Sequence, residues 1–331
     1  MRTTRRDLLR QAGRAGLGLA AAHLAGGRGL AQPAPEPIGI VVGSDVHLRT
    51  DQALSPASFR EFVADVNDNL PRAQRVLLLG DLVDVGYPAA LEAFAELQTE
   101  LRPTVHGVPG NHDFAPAAEG EARAEADARS LERFCAVLGH APSPYYAFAV
   151  GNVRFVMVGT EASSSNPPEI SFGGWLGDAQ LTWLDGQLAD ADAQRQNVIV
   201  CSHQGVRDTC WLTATPPYSL NPPGPLQEIL AHRSVDIWFS GHVHGVLQEH
   251  HAQMFATVGG TLYVNGGALS HSRNGRLQSR YFVLNEGAAE VEVRSRDHVD
   301  VRQGPEAEHD VRCFDPALDT VAPLRHPFRR A

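Results

Sequence analysis

Four consecutive apolar residues, Val76, Leu77, Leu78 and Leu79, run straight into Gly80-Asp81-Leu82-Val83-Asp84-Val85-Gly86. An unbroken apolar run followed by glycine reads as a strand buried on both faces that stops at a turn. Such a strand belongs to a sheet covered on both sides, which points to an α/β protein. Asp81 then stands at the carboxyl end of a strand, where open α/β sheets place their chemistry. Taken alone, Asp81 and Asp84 suit a capped turn equally well. The weight therefore falls on whether other strands end the same way.

They do. Residues 38–42 form an apolar run ending in Gly43-Ser44-Asp45-Val46-His47. Side chains alternate along extended backbone, so Asp45 and His47 can point to one side. Residues 103–108 lead into Pro109-Gly110-Asn111-His112-Asp113, residues 197–201 into Ser202-His203, and residues 235–239 into Ser240-Gly241-His242-Val243-His244. Between these runs lie amphipathic segments. Residues 56–70 carry Phe59, Phe62, Val63 and Val66 at helical spacing, and residues 88–101 carry Leu91, Phe94 and Leu97. Residues 117–138 and 178–188 also read as helices. Strand and helix in alternation argue for parallel βαβ units. Residues 145–150 and 153–158 flank Gly151-Asn152 as a hairpin. The stretches 261–265, 280–285 and 289–294 read as antiparallel strands closing a second sheet, and the Pro-rich loop 215–225 lies where it can shape a cleft.

Composition narrows the class of partner. The formal charge is −10, and all 28 basic residues are arginine, with no basic run outside the first residues. This leaves no electrostatic footprint for duplex nucleic acid or an anionic membrane. The four cysteines, Cys135, Cys201, Cys210 and Cys313, have no metal-type spacing and stand apart from the His/Asp turns. A Cys201–Cys210 or Cys135–Cys313 disulfide is open in an oxidising compartment. Residues 1–31 have the layout of an export signal. Arg5-Arg6 stand near the start, a short Ala/Gly-rich apolar stretch follows, and Gly29-Leu30-Ala31 offers a small-residue cleavage site. The paired arginines match the twin-arginine type, which makes the export machinery a partner and the periplasm or exterior the destination. The stretch is too short and glycine-rich to span a membrane. A Pro-rich linker covers 32–37, a single catalytic domain 38–297, and a polar tail 298–331.

Five strand ends thus carry Asp45, His47, Asp81, Asp84, Asn111, His112, Asp113, His203, His242 and His244. His106, His140, His232, His250, His251 and His271 fall outside the pattern and read as structural or surface residues. In order and approximate spacing, Asp45-x-His47, Gly80-Asp81-x-x-Asp84, Gly110-Asn111-His112-Asp113, His203 and Gly241-His242-x-His244 resemble the motifs of the calcineurin-like metallophosphoesterase superfamily. The resemblance implies a four-layer α/β/β/α sandwich of two mixed β-sheets flanked by helices. It implies two metal ions, with Asp45, His47 and His244 at the first, Asn111, His203 and His242 at the second, and Asp81 bridging. His112 would face the phosphate, and Asp84 would orient it, with Asp113 a further supporting carboxylate.

The chemistry suits those residue types. Two cations roughly 3.5–4 Å apart activate a water and offset charge on phosphoryl oxygens. Nitrogen and oxygen donors without thiolate suit Fe, Mn or Zn. Protein phosphatases of the superfamily carry Arg after the second Asp of the bridging motif, where this chain has Val85. They carry Glu after Asn-His, where this chain has Asp113. Both departures resemble the phosphodiesterase branches. The expectation is therefore an exported dinuclear-metal hydrolase of a small phosphodiester, with a cyclic nucleotide among the candidates. A phosphomonoesterase that scavenges phosphate, and a metal-binding protein without turnover, stand as alternatives.

Overall fold

Strand alternation sets the layers of this protein. Val76 and Leu78 pack with helix residues on one side of their sheet, whereas Leu77 and Leu79 face a second sheet. The computed structural model describes residues 36–52, 54–139, 143–163, 172–245, 253–270, 277–285, 287–298 and 324–330. All belong to the unit Pro35–Ala331, and the export-signal reading of 1–31 lies outside the described residues. The elements are β1 (Ile38–Gly43), α1 (Leu54–Asn69), β2 (Ala73–Leu78), α2 (Pro88–Gln98), β3 (Thr104–Gly107), α3 (Arg123–Leu138), β4 (Tyr146–Val150), β5 (Val153–Val158), β6 (Gly174–Trp175) and α4 (Asp178–Ala193). They continue with β7 (Asn197–Ser202), β8 (Leu220–Asn221), α5 (Pro223–His232), β9 (Ile237–Ser240), β10 (Phe255–Val258), β11 (Thr261–Asn265), β12 (Gln278–Leu284), β13 (Glu290–Asp297) and β14 (Leu324–Pro327).

Among the described residues these strands form two six-stranded sheets, ordered β14-β13-β12-β1-β2-β3 and β10-β11-β9-β7-β5-β4, and a ribbon of β6 with β8. The centres are parallel: β1 pairs with β2 and β2 with β3, while β5, β7, β9 and β11 run together. Antiparallel strands close the rims. Three apolar layers hold this together. Phe59, Phe62, Phe94 and Phe134 from α1, α2 and α3 cover the outer face of the first sheet. Phe155, Met157, Ile199, Phe239 and Phe282 fill the space between the sheets. Leu181, Leu184 and Leu188 of α4 and Leu226 and Ile229 of α5 cover the outer face of the second. At about 1.5–3 kcal/mol for each fully buried large apolar side chain, these layers carry the favourable side of folding. The result is the expected helix/sheet/sheet/helix sandwich.

Local signals explain the helix ends. Pro88 opens α2 and Pro223 opens α5, where a missing N–H costs nothing. Gly139 closes α3 in the left-handed region. Helix α3 begins at Arg123 rather than 117. Among the described residues no helix is long and apolar enough to cross a membrane.

Three sequence expectations change. The late strands do not close one second sheet. β11 lies parallel to β9 in the second sheet, whereas β12 and β13 extend the first sheet beside β1. Alternating patterns fix a strand's face but not its partner. The polar tail is not tail throughout: His298 is buried, and β14 pairs antiparallel with β13. No Cys201–Cys210 disulfide forms, because Cys201 is buried between the sheets while Cys210 lies against the Met254 carbonyl. Cys135 is also free, and Cys313 lies outside the described residues. Of the histidines set aside earlier, His106 stacks on Phe148 and His232 is exposed beside Asp185.

Candidate metal centre

The turns after β1, β2, β3, β7 and β9 meet at one end of the two sheets. Backbone bonds from Asp45 N to the Gly80 carbonyl (3.1 Å) and from His47 N to the Asp81 carbonyl (2.9 Å) carry β1–β2 pairing past the strand ends. Gly241 N reaches the His203 carbonyl at 2.8 Å. Glycine is needed where these turns touch: a Cβ on Gly110 would lie 2.3 Å from Asp81 Oδ1 and 2.8 Å from the His203 ring. Five site residues adopt the left-handed region that favours glycine: Asp45 (φ 57°), His47 (46°), Asp81 (51°), His242 (70°) and His244 (49°). Each such residue costs on the order of 1–3 kcal/mol, and such costs concentrate at functional sites.

The side chains converge. His244 Nε2 lies 2.8 Å from Asp45 Oδ1 and 3.0 Å from His47 Nε2. Asp81 Oδ2 stands between the halves, 3.6 Å from His47 Nε2 and 3.1 Å from His203 Nε2. Donor atoms of Asp45, His47, Asp81 and His244 all fall within 4.8 Å of one another, and so do those of Asp81, His203 and His242. Asn111 stands beside them: its neighbours Gly110 and His112 both touch Asp81, the latter through a 2.8 Å N–H bond to Oδ1. Donor atoms of six of the seven residues read as ligands from the sequence are therefore brought together, and Asn111 adjoins them through its backbone neighbours.

Three of the imidazoles, those of His47, His203 and His242, meet a protein group through the other nitrogen. His203 Nδ1 donates to the Leu79 carbonyl (2.6 Å), and His242 Nε2 donates to the Pro217 carbonyl (3.0 Å). A carbonyl only accepts, so these contacts fix the protonated nitrogen and leave the opposite lone pair for a cation. His47 Nδ1 faces the Asp84 carboxylate at 3.3 Å.

Asp84 corrects one expectation. It orients His112 through its main-chain carbonyl, which accepts from His112 Nδ1 at 2.7 Å. Its carboxylate lies nearer to His47 than to His112, whose Nδ1 is 4.0 Å away. Asp113 is a backbone clamp: Oδ1 accepts from Leu82 N and Val83 N, and Oδ2 from Gly110 N, which ties the β2 turn to the β3 turn.

The electrostatics call for positive charge. Burial alone would raise the Asp45 and Asp81 carboxyls, but His244 and His203 beside them hold both below the usual range. Burial likewise lowers His47 and His203, yet the surrounding carboxylates push each up to about 9. Burial and the neighbouring His203 take His242 down to about 4. Ionised carboxylates that draw protons onto two imidazoles mark a site suited to cations, which take the place of those protons. Two buried atoms, Asp81 Oδ2 and His203 Nε2, have no hydrogen-bond partner. They belong to Asp81, which is common to both donor groups, and to His203 of one of them. The residues fit a pair of metal ions.

Two contributors were not visible in the sequence reading. Gln204 is fully buried, and its Nε2 donates to Asn111 Oδ1 (3.0 Å) and to the Phe172 carbonyl (3.0 Å). Its place directly after His203 is the only signal for it. Pro217 acts through a main-chain carbonyl, which no residue type reveals.

Comparison with known proteins supplies the family. The profile of the calcineurin-like phosphoesterase family matches residues 38–246, and the chain belongs to that family. The 3',5'-cyclic adenosine monophosphate phosphodiesterase of Escherichia coli (strain K12) is 28% identical over 171 residues, covering 51% of this chain and 54% of that protein. The chain thus spans about half the length of that curated relative. A manganese-dependent ADP-ribose/CDP-alcohol diphosphatase of Oryza sativa subsp. japonica is 56% identical over 34 residues, or 10% of this chain and 11% of that one. In fold, the chain is similar to a dimetal phosphatase from Danio rerio (TM-score 0.58, 17% identity, 88% of this chain and 99% of that one). It is also similar to a purple acid phosphatase from yellow lupin, Lupinus luteus (TM-score 0.52, 18% identity, 80% of this chain and 52% of that one).

Proposed function

We propose that this protein is an exported dinuclear phosphodiesterase acting on a small organic phosphodiester. The observation that carries the hydrolytic reading is the Asp81 carboxylate set between His47 and His203, with its Oδ2 buried and without a hydrogen-bond partner. Asp45, His47 and His244 would hold one cation, Asn111, His203 and His242 the other, and Asp81 both. When bound, the pair supplies an activated water and offsets the negative charge of the phosphoryl group. Donor chemistry suits Fe, Mn or Zn.

The chain's own residues do the rest. His112 keeps one proton on Nδ1 against the Asp84 carbonyl, so it is in the imidazolium form that Nε2, carrying the second proton, hands it to the departing oxygen or donates to an equatorial one. Its side chain is 29% exposed, against 1% for His47, which suits a group that meets substrate rather than metal. Val85 and Asp113 support a diester over a phosphoprotein. Asp113 is spent on three backbone bonds, and Val85 adds no cationic clamp for a dianionic monoester. The two curated relatives, whose names specify cyclic AMP and nucleoside-diphosphate derivatives, favour a nucleotide within that class. Arg5-Arg6 and the cleavage-type sequence at 29–31 support export in the folded state to the periplasm or beyond.

Turnover of bis(p-nitrophenyl) phosphate and of p-nitrophenyl phosphate, with and without added Mn, tests the reading. The expected result is metal-dependent hydrolysis with the diester preferred. Preference for the monoester makes the protein a phosphomonoesterase, and no hydrolysis of either makes it a metal-binding protein without turnover. Changing Arg5-Arg6 to Lys-Lys should leave the protein in the cytoplasm on cell fractionation. Unchanged export would remove the twin-arginine route.

A further inference from the structure

Large apolar side chains exposed to solvent among the described residues are Tyr87, Phe172, Leu212 and Val258. Val258 lies at the β10–β11 turn, which holds none of the metal-type side chains. Tyr87 and Leu212 sit on loops that leave metal-bearing turns, and Phe172 lies on the connection between β5 and β6. Tyr87 follows Asp84 by three residues, and Leu212 lies in the loop after His203. Phe172 is tied to the centre itself, because the Gln204 amide nitrogen that holds Asn111 Oδ1 also holds the Phe172 carbonyl. An exposed apolar side chain whose backbone is tied to a polar centre suits a ligand contact rather than general stickiness.

Phe172 is the strongest of these. Its ring is half exposed, and its backbone is in the left-handed region at φ 65°, which is unfavourable for a bulky side chain. A residue that loses both apolar burial and backbone comfort, yet is pinned by a buried amide, is held for a contact it makes with something else. The adjoining wall is also aromatic. Tyr218 lies 5.5 Å from the His242 ring, and Trp211 packs with it against Val243 and Met254.

We propose that Phe172 is a specificity-determining residue whose ring stacks on the planar base of a nucleoside phosphodiester held at the metal centre. This rests on the phosphodiesterase reading and adds the group that recognises the organic part of the substrate. Stacking needs only a π-face, so the residue selects for a base without choosing among bases.

The test is calorimetric binding of adenosine 5'-monophosphate and of ribose 5-phosphate to the metal-loaded protein, in wild type, Phe172→Ala and Phe172→Tyr. Wild type should prefer the nucleotide about tenfold, Phe172→Ala should lose that preference, and Phe172→Tyr should retain it. A preference that survives in Phe172→Ala, or is absent from wild type, overturns the proposal. Because Phe172 is exposed, its truncation should leave the unfolding midpoint unchanged; a fall in that midpoint would assign it a packing role and also count against the proposal. The binding ratio needs no turnover. Failure of this inference is therefore separate from failure of the hydrolytic reading, which diester hydrolysis scores.

Discussion

Two clusters of buried His and Asp side chains can be set side by side, and they are built to opposite ends. In the first, Asp65 of α1 takes N–H bonds from Arg296 and from His298 Nδ1 (2.6 Å), and His298 Nε2 meets Ser279 Oγ at 2.7 Å. The connectivity Ser279–His298–Asp65 is that of a hydrolytic relay. Yet Ser279 has no exposed surface, Phe62 sits edge-on against His298, and Arg296 claims both carboxylate oxygens. This cluster closes on itself and fastens β12 and β13 to α1. The metal centre does the reverse. It leaves Asp81 Oδ2 and His203 Nε2 buried without a hydrogen bond, crowds carboxylates together and holds five residues at positive φ. A closed cluster contributes stability by itself, whereas an open one costs stability until a ligand completes it.

The sharpest way to break this contrast is Asp81→Asn. The substitution should abolish metal retention and cut turnover by about a thousandfold, with little loss of stability. Metal analysis, steady-state rates and denaturant unfolding read the three effects. Retained metals with wild-type rates would refute the bridging role.

Asp65→Asn should behave in mirror image: metal content and turnover stay, while stability falls by about 3–5 kcal/mol because Arg296 loses its buried partner. Burial opposes the ionised form of Asp65, but the Arg296 and His298 bonds outweigh it and hold its pKa far below the usual value. The stabilisation is therefore complete above the unfolded carboxyl pKa of about 3.9 and drains away as pH falls below it. The gap between wild type and Asp65→Asn should shrink in acid. A gap that is flat down to pH 2 would contradict the assignment.

Gln204→Ala should weaken metal affinity about 10- to 100-fold, as expected when a group supporting a ligand is removed. Competition titration against a chelator measures this, and unchanged affinity would make Gln204 a packing residue. The smallest effect is expected for Ser279→Ala, about 1 kcal/mol of stability for one lost hydrogen bond and no change in hydrolysis. A collapse of turnover there would overturn the division between the clusters.

How much of this could be read from the chain follows from the distance over which each feature is encoded. Asp45, His47, Asp81, Asn111, His203, His242 and His244 were legible because each stands in a glycine-flanked turn just after its own apolar run. Local pattern thus delivered both element and residue. The sandwich was legible through the family resemblance rather than through periodicity, which could not show that β12 and β13 join the first sheet. The Asp65–His298 cluster was invisible, since its members are separated by more than two hundred residues and His298 opens a polar stretch. Asp84 was identified as a site residue, but its assigned role changed because a main-chain carbonyl holds His112 while the carboxylate turns to His47. The strained backbone of Phe172 has no sequence signature at all.

The central claim, a pair of cations sharing Asp81, is tested most directly by metal stoichiometry on purified protein, measured by elemental analysis after reconstitution with Mn and gel filtration. The account predicts two equivalents per chain in wild type and fewer than one in Asp81→Asn. A single equivalent in wild type, or two equivalents in the variant, would contradict it.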